Sequence, residues 1–154
     1  MPNLKIGEKA PDFTGRIQTG ETITLQQLAG KKLILYFYPK DNTPGCTAEA
    51  CDLRDNYNMW LQKGYQVIGI SPDSEKSHQN FIEKHGLPFN LIADTDKTIM
   101  KAYGAWGEKK LYGKTYEGVL RKTFVISENG IIEAIFDKVD TKKHTQQIVT
   151  SLKN

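Results

Sequence analysis

The chain carries two cysteines, Cys46 and Cys51, and their setting decides what chemistry they could do. Cys46 follows the turn Pro39-Lys40-Asp41-Asn42-Thr43-Pro44-Gly45, in which Thr43 suits a helix N-cap and Pro44 the first helical position. Cys46 then falls in the first helical turn, where unpaired backbone N–H groups and the helix dipole favour an anion. A thiolate is such an anion, and cysteines placed this way ionise below the free value of about 8.5. The spacing supports an activated nucleophile beneath the Thr43 hydroxyl. The competing reading is a small core residue under an ordinary cap. On an intact helix, the five-residue step to Cys51 turns the side chains about 140° apart and sets the Cα atoms roughly 8–9 Å apart, past the ~7 Å reach of a disulfide. A rigid structural bridge is therefore excluded. What stays open is a disulfide that forms only when the first helical turns unwind, or two unrelated thiols on one helix.

The elements that must position these residues follow from the apolar pattern. Leu33 to Tyr38 is a continuous apolar run ended by Pro39, as in a strand buried on both faces. Residues from about 44 to 63 carry a helical stripe of Cys46, Ala50, Leu53, Tyr57, Trp60 and Leu61, closed by Gly64. Cys46 lies on that inward stripe and Cys51 off it. Tyr65 to Ile70 reads as a second buried strand, Glu75 to His85 as a helix closed by Gly86, and Phe89 to Ile92 as a short strand. Asp96 to Tyr103 reads as a short helix before a Gly- and Lys-rich loop. Thr123–Ile126 and Ile131–Phe136 bracket Glu128-Asn129-Gly130, an Asn-Gly hairpin, and Lys142 to Leu152 is a last amphipathic helix. Parallel β-α-β units followed by an antiparallel hairpin predict an α/β domain of thioredoxin-like order, with a mixed central sheet and helices on both faces.

Composition sets the outer bounds. One hundred and fifty-four residues suit a single domain spanning 1–154, and 38% hydrophobic with 25% charged residues is the make-up of a globular protein. A net charge of +3 with interleaved signs predicts neither a nucleic-acid nor a membrane partner. The start, Met1 to Glu8, lacks the apolar core of a signal peptide, and no stretch approaches a membrane span. The expected location is cytoplasmic, where thiols are kept reduced and a disulfide is transient.

Pro39-x-x-x-Thr43-x-x-Cys46 after Tyr36-Phe37-Tyr38 resembles the peroxiredoxin active-site motif, and Thr43-Pro44-Gly45-Cys46-Thr47-x-Glu49-x-Cys51 resembles its bacterioferritin-comigratory, or Q-type, subfamily. Ala10-Pro11-Asp12-Phe13, Gly69-Ile70-Ser71-Pro72-Asp73, Tyr103-Gly104, Trp106, Tyr112-Gly113 and Arg121-x-Thr123-Phe124-Val125-Ile126 extend the likeness along nearly the whole chain. The resemblance implies a thiol peroxidase without a cofactor. In it, Cys46 attacks a hydroperoxide and becomes a sulfenic acid, which Cys51 resolves to an intrachain disulfide that thioredoxin reduces. It further implies that Thr43 donates a hydroxyl and that Arg121, one of three arginines, keeps Cys46 ionised and polarises the peroxide. Pro39 shields the thiolate, and Glu49 orients Arg121. Each has a plainer reading beside it, a surface salt bridge for Arg121 and a solvated helix carboxylate for Glu49. An intrachain resolving thiol leans toward a monomer, with a weak dimer still compatible.

Other patterns do less. Gly113-Lys114-Thr115 has the tail of a phosphate loop, but Glu108 stands where its first glycine belongs. His78, Phe81, Ile82 and His85 share a helix face and read as packed residues, and no zinc-type spacing links them to the cysteines. Asp94-Thr95-Asp96 suggests a helix cap, since Ile99 stands where a calcium loop needs glycine. Trp106 and Tyr112 either rim a pocket or pack. A redox-sensing or holdase-like binding protein would use the same thiol pair without needing Thr43 or Arg121, and a disulfide reductase would want Cys-x-x-Cys.

Overall fold

The computed structural model describes residues 4–152; Met1–Asn3, part of the stretch read for a leader, lie outside them. Two short strands, β1 (Thr14–Arg16) and β2 (Thr22–Thr24), pair antiparallel ahead of the central sheet. The first long apolar run forms β3 (Lys32–Phe37), followed by α1 (Pro44–Asp55) and α2 (Tyr57–Gln62). Next come β4 (Tyr65–Ser71), α3 (Glu75–His85), β5 (Asn90–Ala93) and α4 (Thr98–Ala102). A hairpin of β6 (Trp106–Leu111) and β7 (Lys114–Val119) precedes β8 (Lys122–Ile126), β9 (Ile132–Phe136) and α5 (His144–Leu152).

The central sheet has the order β5-β4-β3-β8-β9, with β3, β4 and β5 parallel and β8 and β9 antiparallel to their neighbours. This is the mixed sheet of a thioredoxin-like fold. Alternation along β3 sends Leu33, Leu35 and Phe37 to one face and Ile34, Tyr36 and Tyr38 to the other, and each face has its own core. One core holds Ile99, Met100 and Tyr103 from α4 and its end, with Phe13 and Leu25 from the N-terminal segment. The other holds Cys46, Ala50 and Leu53 of α1, Trp60 of α2, Phe81 of α3 and Ile148 of α5. Helices thus cover both faces, but unequally. Gly69 is demanded by a close approach: a Cβ there would lie 2.7 Å from Tyr36 Cζ and 2.7 Å from Leu91 Cδ2.

Three expectations are corrected. The single helix over 44–63 is two, because Asn56 leaves helical geometry (φ −109°, ψ 11°) and its side-chain Nδ2 donates to the Asp52 carbonyl at 2.8 Å. The break turns the second segment, and Leu61 is exposed although the unbroken stripe placed it inward. The Gly- and Lys-rich loop is the β6–β7 hairpin, whose two-residue turn puts Tyr112 (φ 51°) and Gly113 (φ 77°) in left-handed geometry.

Candidate active site

The site forms where β3 ends. Thr43 is the N-cap residue of α1 in extended geometry (φ −85°, ψ 154°), with Pro44 at the first helical position as the sequence predicts. Its hydroxyl differs from expectation: it accepts no helix N–H and donates instead to the Lys40 carbonyl at 2.8 Å. The first intrahelical bond runs from the Thr47 N–H to the Thr43 carbonyl at 2.8 Å, so the Gly45 and Cys46 amides precede the helical ladder. Cys46 is buried and Cys51 half-buried; both are free thiols on one continuous helix.

The preceding loop is held from beneath. Buried Asp41 accepts the Tyr38 hydroxyl at 2.6 Å, Ser77 Oγ at 2.8 Å and His78 Nδ1 at 2.7 Å, and its own N–H donates to Asp73 at 2.8 Å. His78 Nε2 meets the Ile92 carbonyl at 2.9 Å. Asp41, Asp73 and His78 bring metal-ligand atoms within 4.8 Å of one another, but hydrogen bonds already engage those atoms. The cluster is an anchor for the loop 39–43, in which Asn42 takes a left-handed turn (φ 63°).

Arg121 comes from far along the chain. Phe37 at the end of β3 pairs with Lys122 at the start of β8, so Arg121 emerges beside the Cys46 loop. Its Nη2 donates to Cys46 Sγ at 3.1 Å, and its Nη1 to Glu49 Oε1 at 2.6 Å. One guanidinium therefore spans a thiol and a carboxyl. Burial opposes its charge, but Glu49 and Cys46 outweigh that and hold Arg121 above its ordinary value.

Glu49 is fully buried, so the solvated-carboxylate reading fails. Burial pushes its carboxyl up to about 7, against the attraction of Arg121 and with a smaller push from Asp52. Its Oε2 is one of two buried side-chain polar atoms without a hydrogen-bond partner among the described residues; the other is the Tyr36 hydroxyl. His144 Nε2 lies 3.6 Å from that Oε2 and 2.8 Å from Thr123 Oγ1, while its Nδ1 meets Gln147 Oε1 at 2.9 Å. Burial holds His144 below its ordinary value.

The structure thus brings Cys46, Arg121 and Glu49 into direct contact, sets Thr43 at the N-cap above Cys46, and leaves Pro39 half-buried at the loop's start. Cys51 shares the helix but not the contacts. Of the residues that could rim a pocket, Tyr112 is 95% exposed at a hairpin tip and does neither that nor pack. The Asp94 and Asp96 carboxylates do satisfy amides at the start of α4, on Ile99, Met100 and Thr98. Sequence reasoning missed Asp41 and His144. Asp41 had a signal, an acid in the turn after a buried strand; His144 had none, because only tertiary packing brings α5 behind α1.

Fold and site together define a thioredoxin-like protein with an arginine-paired thiol at a helix N-terminus. The AhpC/TSA family pattern matches residues 6–135, and the chain belongs to that family. It is 43% identical over 151 residues to peroxiredoxin Bcp of Bacillus subtilis, covering 98% of this chain and 96% of the relative. It is 42% identical over 153 residues to peroxiredoxin Bcp of Escherichia coli, covering 99% and 98%. A solved structure of Xanthomonas campestris peroxiredoxin Q, 37% identical, superposes with a TM-score of 0.86 over 92% of this chain and 89% of that one. The chain is a peroxiredoxin of the Bcp or Q type, a peroxidase among the oxidoreductases, and its substrates are a peroxide and a thiol reductant. Among the described residues, no helix is long and apolar enough to cross a membrane.

Proposed function

We propose that Cys46 is the peroxidatic nucleophile, Cys51 the resolving thiol, and thioredoxin the reductant. The observation that carries this reading is the 3.1 Å contact between Arg121 Nη2 and Cys46 Sγ at a helix N-terminus. The thiolate attacks the terminal peroxide oxygen, the O–O bond breaks, and the departing alkoxide or hydroxide takes a proton, leaving Cys46 as a sulfenic acid. Charge grows on both oxygens during this displacement. The Arg121 guanidinium and the Gly45 and Cys46 amides supply donors where it grows. Thr43, its hydrogen given to Lys40, offers the peroxide O–H a lone pair and so acts as acceptor where the sequence suggested a donor. Half-buried Pro39 restricts water at the thiolate.

The Cys51 thiol then attacks the sulfenic sulfur within the same chain, expelling water and forming the disulfide. That step needs the first turns of α1 to unwind, since the intact helix holds the Cα atoms roughly 8–9 Å apart. Thioredoxin's dithiol restores both thiols by exchange. The cycle requires no partner subunit, which supports a monomer acting in a reducing compartment such as the cytoplasm. Organic hydroperoxides join hydrogen peroxide as substrates, in line with the alkyl peroxide reduction described for a Xanthomonas campestris relative. A sensor or holdase needs only the thiol pair, so the Arg121 clamp supports the enzyme.

The test is coupled peroxide consumption with thioredoxin, its reductase and a nicotinamide donor. Wild type turns over, Cys46→Ser reduces no peroxide, and Cys51→Ser is oxidised once without thioredoxin-driven recycling. Peroxide reduction by Cys46→Ser would overturn the mechanism.

A further inference from the structure

The site contains a charge imbalance that its catalytic residues alone do not resolve. Among the described residues, Arg121 is the one cation hydrogen-bonded to Cys46, and it touches the Glu49 carboxyl as well. With both acids ionised, two buried anions share one half-buried guanidinium, and the Glu49 charge cancels much of the field that Cys46 needs. Behind Glu49, α5 presents His144, whose ring is completely buried. Gln147 Oε1 also accepts the Asp140 N–H at 2.9 Å, and Gln147 Nε2 donates to the Lys138 carbonyl at 2.7 Å. Those bonds fix the amide so that His144 Nδ1 faces an acceptor and carries a hydrogen. In the neutral ring, Nε2 then keeps one lone pair, which faces both the Thr123 hydroxyl and the unpartnered Glu49 Oε2 and takes a hydrogen from one of them at a time.

We propose that His144 is a positioning residue of this peroxidase: with Glu49 it forms one buried proton-holding pair that neutralises the carboxylate and so leaves Arg121 to stabilise the Cys46 thiolate. The proton sits on Glu49 Oε2 or on His144 Nε2, and either placement removes one net negative charge beside Arg121. The 3.6 Å gap exceeds a hydrogen bond by about 0.7 Å, a small side-chain adjustment. The other groups facing the pair set its balance. Asp52, from the helix of Glu49, and Asp140, before α5, favour the proton's retention, while Arg121 opposes it. Tyr36, from the sheet beneath, contributes a neutral buried hydroxyl. Thr123 and Gln147 hold the ring, and Phe136 closes it edge-on at 5.9 Å. The burial that pushes Glu49 up to about 7 is consistent with a carboxyl that keeps a proton near neutrality.

This inference rests on Cys46 being the reactive thiol, and its test reads ionisation, not turnover. In a Cys51→Ser background, the rate of Cys46 alkylation by iodoacetamide is followed against pH. His144→Asn lets the pair lose its proton earlier, so the acidic limb of the profile moves up by roughly one pH unit, a tenfold loss of rate below it. In a Glu49→Gln background the same substitution moves nothing, since no carboxylate remains to neutralise. An unmoved limb in the first background, or an equal shift in both, overturns the proposal. If His144→Asn does not fold, nitrogen NMR of the His144 ring in wild type decides: alkylating Cys46 shifts the ring's titration, and an identical titration before and after overturns it. Failure of wild type to reduce peroxide would sink the peroxidase reading while leaving these profiles intact.

Discussion

Arg121 serves two buried acids through separate nitrogens, and that division is what a lysine at the same position could not reproduce. Arg121→Lys would offer one ammonium where the site uses a planar fork, so peroxide reduction in stopped-flow should slow by about 10²–10³-fold. A near-normal rate would remove Arg121 from the chemistry. Glu49 gives a second residue-scale expectation. Its folded value of about 7 stands above its ordinary 4.5, so between those values the folded protein keeps a proton that the unfolded chain has released. Its contribution to stability is therefore complete below pH 4.5 and lost as pH rises through 7, by up to about 3 kcal/mol. His144, held below its ordinary value by burial, works in the opposite sense and is lost toward acid. In Glu49→Gln the Glu49 share of this dependence disappears, and urea midpoints taken from pH 4.5 to 7 should fall less than in wild type; parallel slopes would contradict it. The placement of Cys46 and Thr43 at the start of α1 was legible from residue type and spacing, whereas Arg121 was singled out only by the family resemblance. The burial of Glu49 was half legible, since it sits one turn past Cys46 near the inward stripe. The side to which Thr43 gives its hydrogen was not, because that depends on where the Lys40 carbonyl turns.

At the scale of the element, α1 must satisfy two demands that conflict. In the proposed cycle it is intact when it presents Cys46 beside Arg121, and it opens for Cys51 to reach the oxidised sulfur. Gly45 lies in the first turn of α1, the part proposed to open, and a Cβ there would meet Arg121 Nη2 at 3.5 Å and Thr141 Cγ2 at 4.0 Å, ordinary contacts. Gly45→Ala should thus be accommodated and should stabilise the closed helix by up to about 1 kcal/mol. Disulfide formation after one peroxide pulse should slow roughly fivefold, with more sulfinic acid in the mass spectrum. An unchanged rate would mean that helix opening does not limit resolution. The far end of α1 is tied down, Asp52 Oδ2 accepting the Thr145 N–H at 2.7 Å, which confines unwinding to the turns before it. The helix start was readable from Thr43 and Pro44, whereas its end at Asn56 was not, because the stripe continues across a break made by one side-chain hydrogen bond. The β6–β7 hairpin hid for a different reason. Most of its residues face solvent, so it lacks the apolar alternation that marks a half-buried strand.

Across the whole molecule, the central sheet is what makes a site from residues 75 positions apart, by pairing the end of β3 with the start of β8. The sequence predicts a mixed sheet, but which strands become neighbours, and in what register, is decided by tertiary packing. Packing around the sheet leaves little slack near the site: Gly69→Ala drives a methyl into Tyr36 and Leu91 and should destabilise by roughly 1–3 kcal/mol, read as a lower thermal midpoint. An unchanged midpoint would show that the Tyr36 ring moves freely. In the proposed cycle, one chain completes the oxidative half by itself. The direct measurement is non-reducing mass mapping of wild type after one equivalent of peroxide. The expected product is a monomer whose Cys46 and Cys51 peptides are joined to each other within a single chain. Peptides joined only between two chains, or both thiols still free after peroxide is consumed, would contradict it.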